Sequence, residues 1–350
     1  MSQYSSNCSL QDIGAVLAAA RSVLVTTHSK PDGDAFGAVV ALSHALELRG
    51  KSVERWVMPP LPQSLMELNS LAAPVHLRGS EADPLPAGEP DAIVIVDTGA
   101  WSQLGPMRSW LTPRRDRAIV LDHHLYGDDV AARRFIAPEA PAACEIVADL
   151  IDLMGCAWDR VIAEAIYVGL ASDTGWFRFS NTTPKVHQLA ARLLGMGVNH
   201  ARLYQAMEQS ERPQKLLLVA RALASLEFLA GHRATLMTLS AADFEQTGTR
   251  QEETERIIDL PQVVRDVQLT ALLIEVDRHN VRISFRSKPG DDAIDVNALA
   301  QRFGGGGHAR AAGAKINEPL EVVRPRLAKA LDEAVKKITP PGGGAGGRFI

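Results

Sequence analysis

Apolar runs alternate with segments of helical spacing in the first half of the chain. The run at 22–28 is rich in β-branched residues, and those at 91–97 and 117–124 are apolar up to a charged cluster, which is typical of strands buried on both faces of a sheet. Segments 9–20 and 38–50 repeat apolar residues at the period of a helix. Further helices are predicted at 144–155, 159–172 and 183–197, and a further strand at 51–58. This alternation predicts an α/β domain with an open, mostly parallel sheet and helices on both faces.

The pattern changes in the second half of the chain. Helical spacing continues through 200–230. From 233 the sequence predicts a strand, a helix, two strands joined by a tight turn at His279-Asn280, a helix, a glycine run and a last strand, which is typical of a smaller α+β domain. The expected organisation is a first domain at 1–190, a helical linker at 191–215, a second domain at 216–339 and a disordered glycine-rich tail at 340–350.

Composition and charge narrow the class of protein. Hydrophobic residues make up 46% and charged residues 22% of the 350 residues, which excludes disordered, collagen-like and coiled-coil chains. The 37 Lys and Arg residues against 41 Asp and Glu residues leave a net charge of −4, which argues against a protein that grips long duplex nucleic acid. The three cysteines, Cys8, Cys144 and Cys156, form no disulfide framework and no Cys-based zinc motif. We see no signal peptide and no membrane-spanning run, so we expect a cytoplasmic protein with no membrane partner.

Acidic residues and histidines form four clusters, three of which follow a predicted strand. Because the carboxyl ends of parallel strands line one edge of a sheet, clusters far apart in sequence should meet in space. Converging carboxylates and imidazoles repel one another unless a cation neutralises them, and such sets suit divalent ions of the Mn or Zn type. With this many ligands, two ions are expected rather than one. The clusters are His28 with Asp32 and Asp34, then Asp97, then Asp122 with His123 and His124, and Asp173.

A plainer interpretation exists for each cluster taken alone. A single Asp after a strand is usually a turn or helix cap, and most histidines have no chemical role. The convergence of several clusters, rather than any one of them, therefore favours a metal site. No role is expected for the histidines outside the clusters, namely His44, His76, His187, His200, His232 and His279.

The clusters lie in sequence motifs that follow a characteristic order. HSKPDGDAFGA, IVDTGA, LDHH and SDTGWFRFSNTT resemble the four motifs of the DHH phosphoesterase superfamily, and GGGGHARAAG at 304–313 resembles the signature of its DHH-associated substrate-binding domain. Any one of these motifs would be weak, whereas five in this order and spacing are specific. The resemblance covers 10–338 and implies a catalytic DHH domain followed by a smaller substrate-binding domain.

The resemblance also implies a role for each residue of the clusters. It implies two divalent ions, of which manganese is the expected identity, bridged by Asp97. Asp122 would orient a ligand histidine or its loop, and His124 would face the substrate phosphate, where it stabilises charge or protonates the leaving oxygen. The implied ligands are His28 and Asp32 for the first ion, Asp34, His123 and Asp173 for the second, and Asp97 for both.

The second domain resembles the part of the family that selects the substrate. Backbone N–H groups of a glycine run suit a phosphate because no side chains block them, and the planar fork of an arginine can clamp a phosphate. A glycine run alone is more often a flexible loop, but its place after a helix and before His308 favours binding. The expected substrate contacts are Arg286, Ser287, Gly305, Gly306, Gly307 and His308.

Hydrolysis of a phosphoester by a hydroxide formed between two cations is the reaction that this pattern indicates. The short two-domain form of the family resembles bifunctional oligoribonucleases that also dephosphorylate 3′-phosphoadenosine 5′-phosphate (pAp) to AMP. The expected partners are therefore short oligonucleotides or small nucleotides. Family members are often dimers, so the resemblance allows a homodimer, but the sequence itself shows no interface and leaves the oligomeric state open.

Two other functions stay open at the level of the sequence. One is a phosphodiesterase for cyclic di-AMP or its linear product pApA, which the motifs do not separate from the first function. The other is a nucleotide-binding regulator without catalysis, which should have a broken ligand set, whereas all six expected ligands are present. An inorganic pyrophosphatase shares the metal motifs but has a different C-terminal domain, so the GGGGH sequence argues against it.

Overall fold

The chain is divided into two compact units. The computed structural model describes residues 4–65, 75–80, 83, 86, 88–290 and 293–336. The units are Met1–Ser210 and Glu211–Ile350, so the segment 191–215, expected as a linker, is shared between them. The glycine-rich tail expected at 340–350 lies outside the described residues. No helix within the described ranges has the length and apolarity needed to cross a bilayer.

The first unit is built on a six-stranded sheet whose neighbouring strands all run parallel. The strands are β1 (Ser22–Ser29), β2 (Ser52–Met58), β3 (His76–Leu77), β4 (Ala92–Val96), β5 (Ala118–Asp122) and β6 (Arg133–Ile136). Their order across the sheet is β3-β2-β1-β4-β5-β6, so β1, β4 and β5 lie side by side in its interior. The open parallel sheet predicted from the apolar runs is confirmed.

The two edge strands, β3 and β6, have no counterpart in the apolar pattern. β3 is only two residues long, and β6 has the sequence RRFI, in which only the last residue is buried. Edge strands need not be buried on both sides and tolerate charged residues. They therefore lack the apolar signal that identifies β4 and β5, whose residues are all buried.

Helical segments cover both faces of this sheet, as predicted. Successive strand residues point to opposite faces. Val94 belongs to a core with the helices that begin at residues 10, 33, 143 and 160, whereas Ile93 packs with the short helical segments between 101 and 117. The helices are α1 (Leu10–Ala19), α2 (Gly33–Leu48), α3 (Arg108–Leu111), α4 (Ala143–Leu153), α5 (Arg160–Asp173), α6 (Pro184–Gly195) and α7 (His200–Glu208), with 3₁₀ helices at Gln63–Leu65, Trp101–Gln103, Gly105–Met107 and Thr112–Arg117.

Helices α2 and α5 pack at unusually short range. At Gly37 of α2, a Cβ atom would lie 2.5 Å from the carbonyl oxygen of Ala165. At Gly169 of α5, a Cβ atom would lie 2.8 Å from Asp34 Oδ1 of α2 and 2.1 Å from the sulfur of Cys144 in α4. Only a residue without a Cβ fits at such contacts. Because α2 carries Asp34 in its first turn and α5 ends on Asp173, this close packing brings two carboxylates together.

The second unit contains a six-stranded sheet of mixed direction, in agreement with the predicted α+β domain. Its strands are β7 (Glu227–Leu229), β8 (Ala234–Leu239), β9 (Leu269–Asp277), β10 (Asn280–Ser287), β11 (Gly306–Gly307) and β12 (Ala311–Ile316), in the order β11-β12-β10-β9-β8-β7. β8 and β9 pair in parallel and the other neighbours in antiparallel orientation. The helices are α8 (Pro213–Ala224), α9 (Ala241–Thr247), α10 (Val296–Gln301) and α11 (Leu320–Lys336), with 3₁₀ helices at Gln251–Thr254 and Ile257–Val263.

The helical spacing expected through 200–230 is wrong at its end. α8 stops at Ala224, and Glu227–Leu229 forms strand β7, which pairs with β8. Between these strands the three residues 230–232 have φ values of 50°, 65° and 69°, which reverse the chain. Pairing with the edge of the sheet outweighs the local helical pattern, because propensity is a weak preference that tertiary contacts override.

Replacing Gly37 by alanine should destabilise the protein, because the added Cβ would overlap a backbone carbonyl oxygen of α5. We expect the free energy of unfolding to fall by about 1–3 kcal/mol, the usual range for overpacking a buried contact. Urea denaturation followed by circular dichroism would measure the change.

The Gly195→Ala variant is a matched control for this experiment. Gly195 lies at the end of α6, is exposed, and a Cβ there would meet nothing within 4 Å. Alanine at this position should leave the stability unchanged or raise it by up to about 1 kcal/mol. Equal losses in the two variants would show that the close packing of α2 and α5 is not the cause.

Candidate metal centre

The six residues expected as metal ligands meet at the carboxyl end of the central strands of the first unit. The strands β1, β4 and β5 and the helices α2 and α5 all contribute. His28 belongs to β1, Asp97 follows β4, His123 follows β5, Asp32 and Asp34 lie at the start of α2, and Asp173 is the last residue of α5. Adjacent parallel strands and one close helix pair thus gather residues that are up to 145 positions apart in sequence (173 − 28).

Asp97 lies between two histidines. Its Oδ2 is 3.3 Å from His28 Nε2, and its Oδ1 is 3.2 Å from His123 Nε2. The backbone of Asp97 has φ 61°, a left-handed conformation that is uncommon outside glycine. The turn that follows β4 therefore places one carboxylate where each of its oxygens faces a different imidazole.

The donor atoms fall into two adjoining groups. Within each group, one ligand atom per residue lies within 4.8 Å of the others. The first group consists of His28, Asp32 and Asp97, and the second of Asp34, His123 and Asp173. A third group, made of Asp97, His123 and His124, overlaps the other two. Since Asp97 also faces His123 of the second group, the donor atoms form one continuous cluster rather than separate sites.

Backbone carbonyl groups orient both histidines that are candidate ligands. His28 Nδ1 lies 3.0 Å from the carbonyl oxygen of Ser29, and His123 Nδ1 lies 3.1 Å from that of Ala140. A carbonyl oxygen can only accept, so each Nδ1 must carry a proton and donate it. This leaves Nε2 of each ring as the atom that faces the cluster, which is the arrangement typical of a metal-binding histidine.

Helix N-termini hold the two carboxylates of α2. Asp32 caps α2, and its Oδ1 accepts from the N–H groups of Asp34 and Ala35, both at 3.0 Å. Asp34 is fully buried and accepts from two N–H groups at the start of α4, those of Ala143 at 2.5 Å and Cys144 at 2.9 Å. Both carboxylates are therefore fixed by the backbone before any cation binds.

The buried charges of this cluster call for a cation. Burial and the neighbouring carboxylates raise the pKa of Asp34 to about 7 and that of Asp173 to about 9. Burial lowers the pKa values of His28 and His123, but the Asp97 carboxylate, together with the other carboxylates and the carbonyl acceptor around them, raises them to about 9 and about 10. Among the residues that the structure describes, none is a hydrogen-bond partner of the buried Asp97 Oδ1. Without a cation the cluster would hold several protons at neutral pH, so the carboxylate and imidazole donors fit divalent ions.

Asp122 and His124 are placed differently from the metal-ligand candidates. Asp122 is fully buried, and its Oδ1 accepts from the backbone N–H groups of His123 at 2.8 Å and His124 at 3.1 Å. The same oxygen lies 2.7 Å from His124 Nδ1, and this bond raises the pKa of His124. His124 keeps half of its side chain exposed. Asp122 thus organises the loop, while His124 presents its Nε2 edge to the surroundings.

Tyr4 is a neighbour of this cluster for which the sequence held no signal. Its hydroxyl group donates to Asp122 Oδ2 at 2.6 Å. The two residues are 118 positions apart, and Tyr4 precedes the first predicted helix. No motif or periodicity connects them, so only the tertiary structure could reveal this contact.

The expected substrate contacts in the second unit differ in their accessibility. Arg286 is partly exposed on β10, with its Nε 3.8 Å from Asp259 Oδ1. Ser287 is buried on the opposite face of the strand and donates to the carbonyl oxygen of Ile294 at 2.7 Å. His308 is exposed in the turn between β11 and β12. Arg286 and His308 are therefore accessible to a ligand, whereas the hydroxyl group of Ser287 is engaged inside the protein.

The glycine run forms part of a short hairpin. Gly306 pairs with Gly313 across β11 and β12. The N–H groups of Gly305, Gly307 and His308 donate to the Ala300 carbonyl at 3.0 Å, to Asn297 Oδ1 at 2.9 Å and to the Ala311 carbonyl at 2.8 Å. These three N–H groups are satisfied within the protein, so the run offers a ligand a bare backbone surface rather than a ring of free donors.

Known proteins resemble this chain over both units. A family model described as "DHH family, N-terminal domain" matches residues 22–170, and one described as "DHHA1 domain" matches residues 235–348. A protein of Thermus thermophilus named "Bifunctional oligoribonuclease and PAP phosphatase NrnA" is 30% identical over 317 residues, which cover 88% of this chain and 91% of that protein.

Two solved structures show the same fold. An exopolyphosphatase-related protein from Bacteroides fragilis superposes with a TM-score of 0.81 at 24% identity, covering 94% of this chain and 95% of that one. RecJ from Thermus thermophilus in complex with Mn²⁺ superposes with a TM-score of 0.52 at 15% identity, covering 95% of this chain and 55% of that one. The arrangement of strands and helices is therefore shared well beyond the range of close sequence similarity.

The stability of the metal-free protein should fall as the pH rises. His28 and His123 have folded-state pKa values of about 9 and about 10, above the ordinary value, so their contribution is present at low pH and lost as the pH passes those values. The raised pKa values of Asp34 and Asp173 act in the same direction, because the folded state then binds more protons. Urea denaturation of EDTA-treated protein should give a smaller free energy of unfolding at about pH 8.5 than at about pH 6.

Added divalent ions should reverse this trend, since the ligands bind metal only when deprotonated. The Asp173→Asn variant removes one carboxyl group whose pKa is raised. Without metal, the free energy of unfolding of this variant should therefore fall less steeply with pH than that of the wild type. If neither added metal nor this variant changes how the free energy of unfolding varies with pH, the cluster does not hold the protons described here.

Proposed function

Because the chain belongs to the DHH family, we propose that it is a two-metal phosphoesterase that hydrolyses short oligonucleotides to mononucleotides and pAp to AMP and phosphate. The chain is a hydrolase of the DHH type, and the proposal concerns its metals and substrates. The observation that carries the proposal is the pair of adjoining donor groups that Asp97 connects. The name of the Thermus thermophilus relative, an oligoribonuclease and PAP phosphatase, supports the choice of substrates.

Two divalent ions are proposed for the two donor groups. His28 and Asp32 would hold one ion, Asp34, His123 and Asp173 the other, and Asp97 both. Divalent cations held in this way activate water as a nucleophile at neutral pH and stabilise negative charge on phosphoryl oxygens. Manganese is proposed because the donors are carboxylates and imidazoles without a thiolate, and because RecJ, which shares the fold, was solved with Mn²⁺.

His124 is proposed to act on the substrate phosphate. Its Nδ1 donates to Asp122 Oδ1, so the exposed edge of the ring is the one that carries Nε2. The bond to Asp122 raises the pKa of His124, which favours the protonated form near neutral pH. A protonated imidazole in this position can stabilise charge on a phosphoryl oxygen or protonate the leaving oxygen.

The second unit is proposed to select the substrate. The partly exposed guanidinium group of Arg286 can bind a phosphate bidentately, and His308 can contact a phosphate or a sugar. The bare backbone of Gly305, Gly306 and Gly307 allows close approach of a ligand. The net charge of −4 argues against a long polymer, which favours substrates of a few nucleotides.

A substrate panel tests the proposed function. We expect turnover of pAp and of short oligoribonucleotides with Mn²⁺, weaker turnover with Mg²⁺, and none after treatment with EDTA. Chromatographic separation of the products from pAp, a dinucleotide, pApA and cyclic di-AMP would measure the relative rates. If cyclic di-AMP is hydrolysed faster than the other compounds, the proposed substrates are wrong and the protein is a cyclic dinucleotide phosphodiesterase. If nucleotides bind but none is hydrolysed, the protein is a regulator without catalysis.

The Asp34→Ala variant ties this activity to the donor cluster. Removing a buried charged ligand should lower the rate by at least about 100-fold, because the cluster then no longer holds its cation in place. His44→Ala is the control, since His44 contacts Asp159 at 2.7 Å and belongs to neither donor group. Near-normal activity of Asp34→Ala with Mn²⁺ would refute the site assignment.

Replacing Arg286 by alanine should weaken substrate binding. We expect KM to rise about tenfold, the size expected for hydrogen bonds to a charged group, while kcat and metal affinity stay within about threefold. Arg282→Ala is the matched control, because Arg282 lies on the same face of β10 but donates to Thr254 Oγ1 at 2.8 Å. If both variants raise KM equally, Arg286 has no specific part in substrate binding.

A further inference from the structure

We propose that Tyr4 is a positioning residue for the reaction, because its hydroxyl group holds the Asp122 carboxylate and, through it, the loop that carries His123 and His124. The kinetic part of this inference rests on the proposed function. The structural part rests on hydrogen bonds within the first unit and can be tested in the metal-free protein.

The contact between Tyr4 and Asp122 completes the surroundings of a buried carboxylate. Oδ1 of Asp122 already serves three donors, which are the N–H groups of His123 and His124 and the Nδ1 of His124. Oδ2 accepts from Tyr4 Oη at 2.6 Å. Burial and the adjacent carboxylate raise the pKa of Tyr4 far above its usual value, so the hydroxyl group stays protonated and donates. Tyr4 therefore donates to one oxygen of the Asp122 carboxylate, while His123 and His124 donate to the other.

Two glycines leave room for the Tyr4 ring beside the centre. A Cβ at Gly99 would lie 1.9 Å from Tyr4 Oη, and a Cβ at Gly127 would lie 2.4 Å from the ring. Gly99 follows Asp97 by two residues, and Gly127 follows His124 by three. The loop after Asp97 and the loop after His124 thus each have a glycine next to the Tyr4 ring. A larger residue at either glycine would displace Tyr4.

Hydrogen bonds next to Tyr4 fix the segment that carries it. Ser6 Oγ donates to the Ile136 carbonyl at 3.0 Å and accepts from the Ile136 N–H at 2.8 Å. Asn7 donates its N–H to the Arg134 carbonyl at 3.0 Å. Residues 4–8 therefore run along the edge strand β6 and are held there by bonds that do not involve Tyr4. This separates the anchoring of the segment from the contact with Asp122, and the two can be tested by different variants.

The Asp122 carboxylate transmits the effect of Tyr4 to the reacting edge of His124. If Oδ2 loses its donor, a buried carboxylate oxygen is left unpaired and the group relaxes by rotating or by recruiting water. Either change alters the three bonds at Oδ1, and with them the direction of the His124 ring. The other metal-ligand candidates are not affected in this way, because Asp97 and the residues of α2 and α5 have no bond to Asp122 among the described contacts. His123 does donate its N–H to Asp122, but its ring is held separately by the Ala140 carbonyl through Nδ1.

The Tyr4→Phe variant tests the proposal, since it removes only the hydroxyl group. We expect kcat to fall about tenfold, as for one hydrogen bond to a charged acceptor, with KM and Mn²⁺ affinity within about threefold of the wild type. Labelling with ¹⁵N-histidine gives signals from ten histidines. In the metal-free protein we expect the amide signals of His123 and His124 to shift and those of distant histidines such as His279 to stay.

Ser6→Ala is the matched control. It loosens the same segment at Ile136 without touching Asp122, so it should lower the melting temperature but leave kcat and the signals of His123 and His124 unchanged. The proposal is overturned if Tyr4→Phe keeps wild-type kcat and unshifted signals, or if Ser6→Ala lowers kcat and shifts the signals as strongly. If the wild-type protein hydrolyses none of the substrates, the proposed function fails, while the signals of the metal-free variants still decide the role of Tyr4.

Discussion

One imidazole nitrogen, His123 Nε2, lies within hydrogen-bonding or near-contact distance of three aspartates. It is 3.2 Å from Asp97, 3.4 Å from Asp173 and 3.9 Å from Asp34. Gathering carboxylates in a buried place costs free energy unless cations or protons balance them. The rest of the first unit supplies what this gathering needs, namely strands that end side by side, a close helix pair and backbone donors. The balancing charge itself has to come from ions or protons.

Rigid elements, rather than long flexible loops, hold the donors. Asp34 is fixed by N–H groups at the start of α4, Gly37 allows α2 to approach the backbone of α5, and Gly169 leaves room for Asp34 and for Cys144 of α4. The two histidines proposed as ligands are oriented by backbone carbonyl groups through Nδ1. Such support keeps the donor atoms in place whether or not a cation is bound, which lowers the conformational cost of binding one.

The three consecutive residues of the Asp-His-His sequence have different environments. Asp122 is buried and organises the loop, His123 points into the donor cluster, and His124 turns outward. Three consecutive residues can do this because the strand ends at Asp122 and the backbone no longer alternates regularly. As a result the candidate site has a donor cluster on one side and a partly exposed imidazole on the other, which is the division that the proposed phosphoester substrate would require.

The main elements could be predicted because their signals are local and strong. Continuous apolar runs identified β4 and β5, and helical spacing over 9–20 identified α1, whose N-cap is Ser9. The edge strands β3 and β6 were not predicted, because strands that are not buried on both faces have no continuous apolar pattern. The segment of β7 was predicted as helix because local spacing carries no information about the edge of β8, with which this segment pairs.

The sequence by itself determined which residues could form a metal centre. Carboxylates and imidazoles after buried parallel strands have to meet at one edge, since the strand direction dictates it. Only the tertiary structure decided how they are used: that each oxygen of Asp97 faces a different histidine, that Ser287 is turned inward, and that Tyr4 reaches Asp122. These outcomes depend on side-chain directions and on contacts between distant segments. Neither is encoded in a local pattern, because they result from the packing of the whole unit.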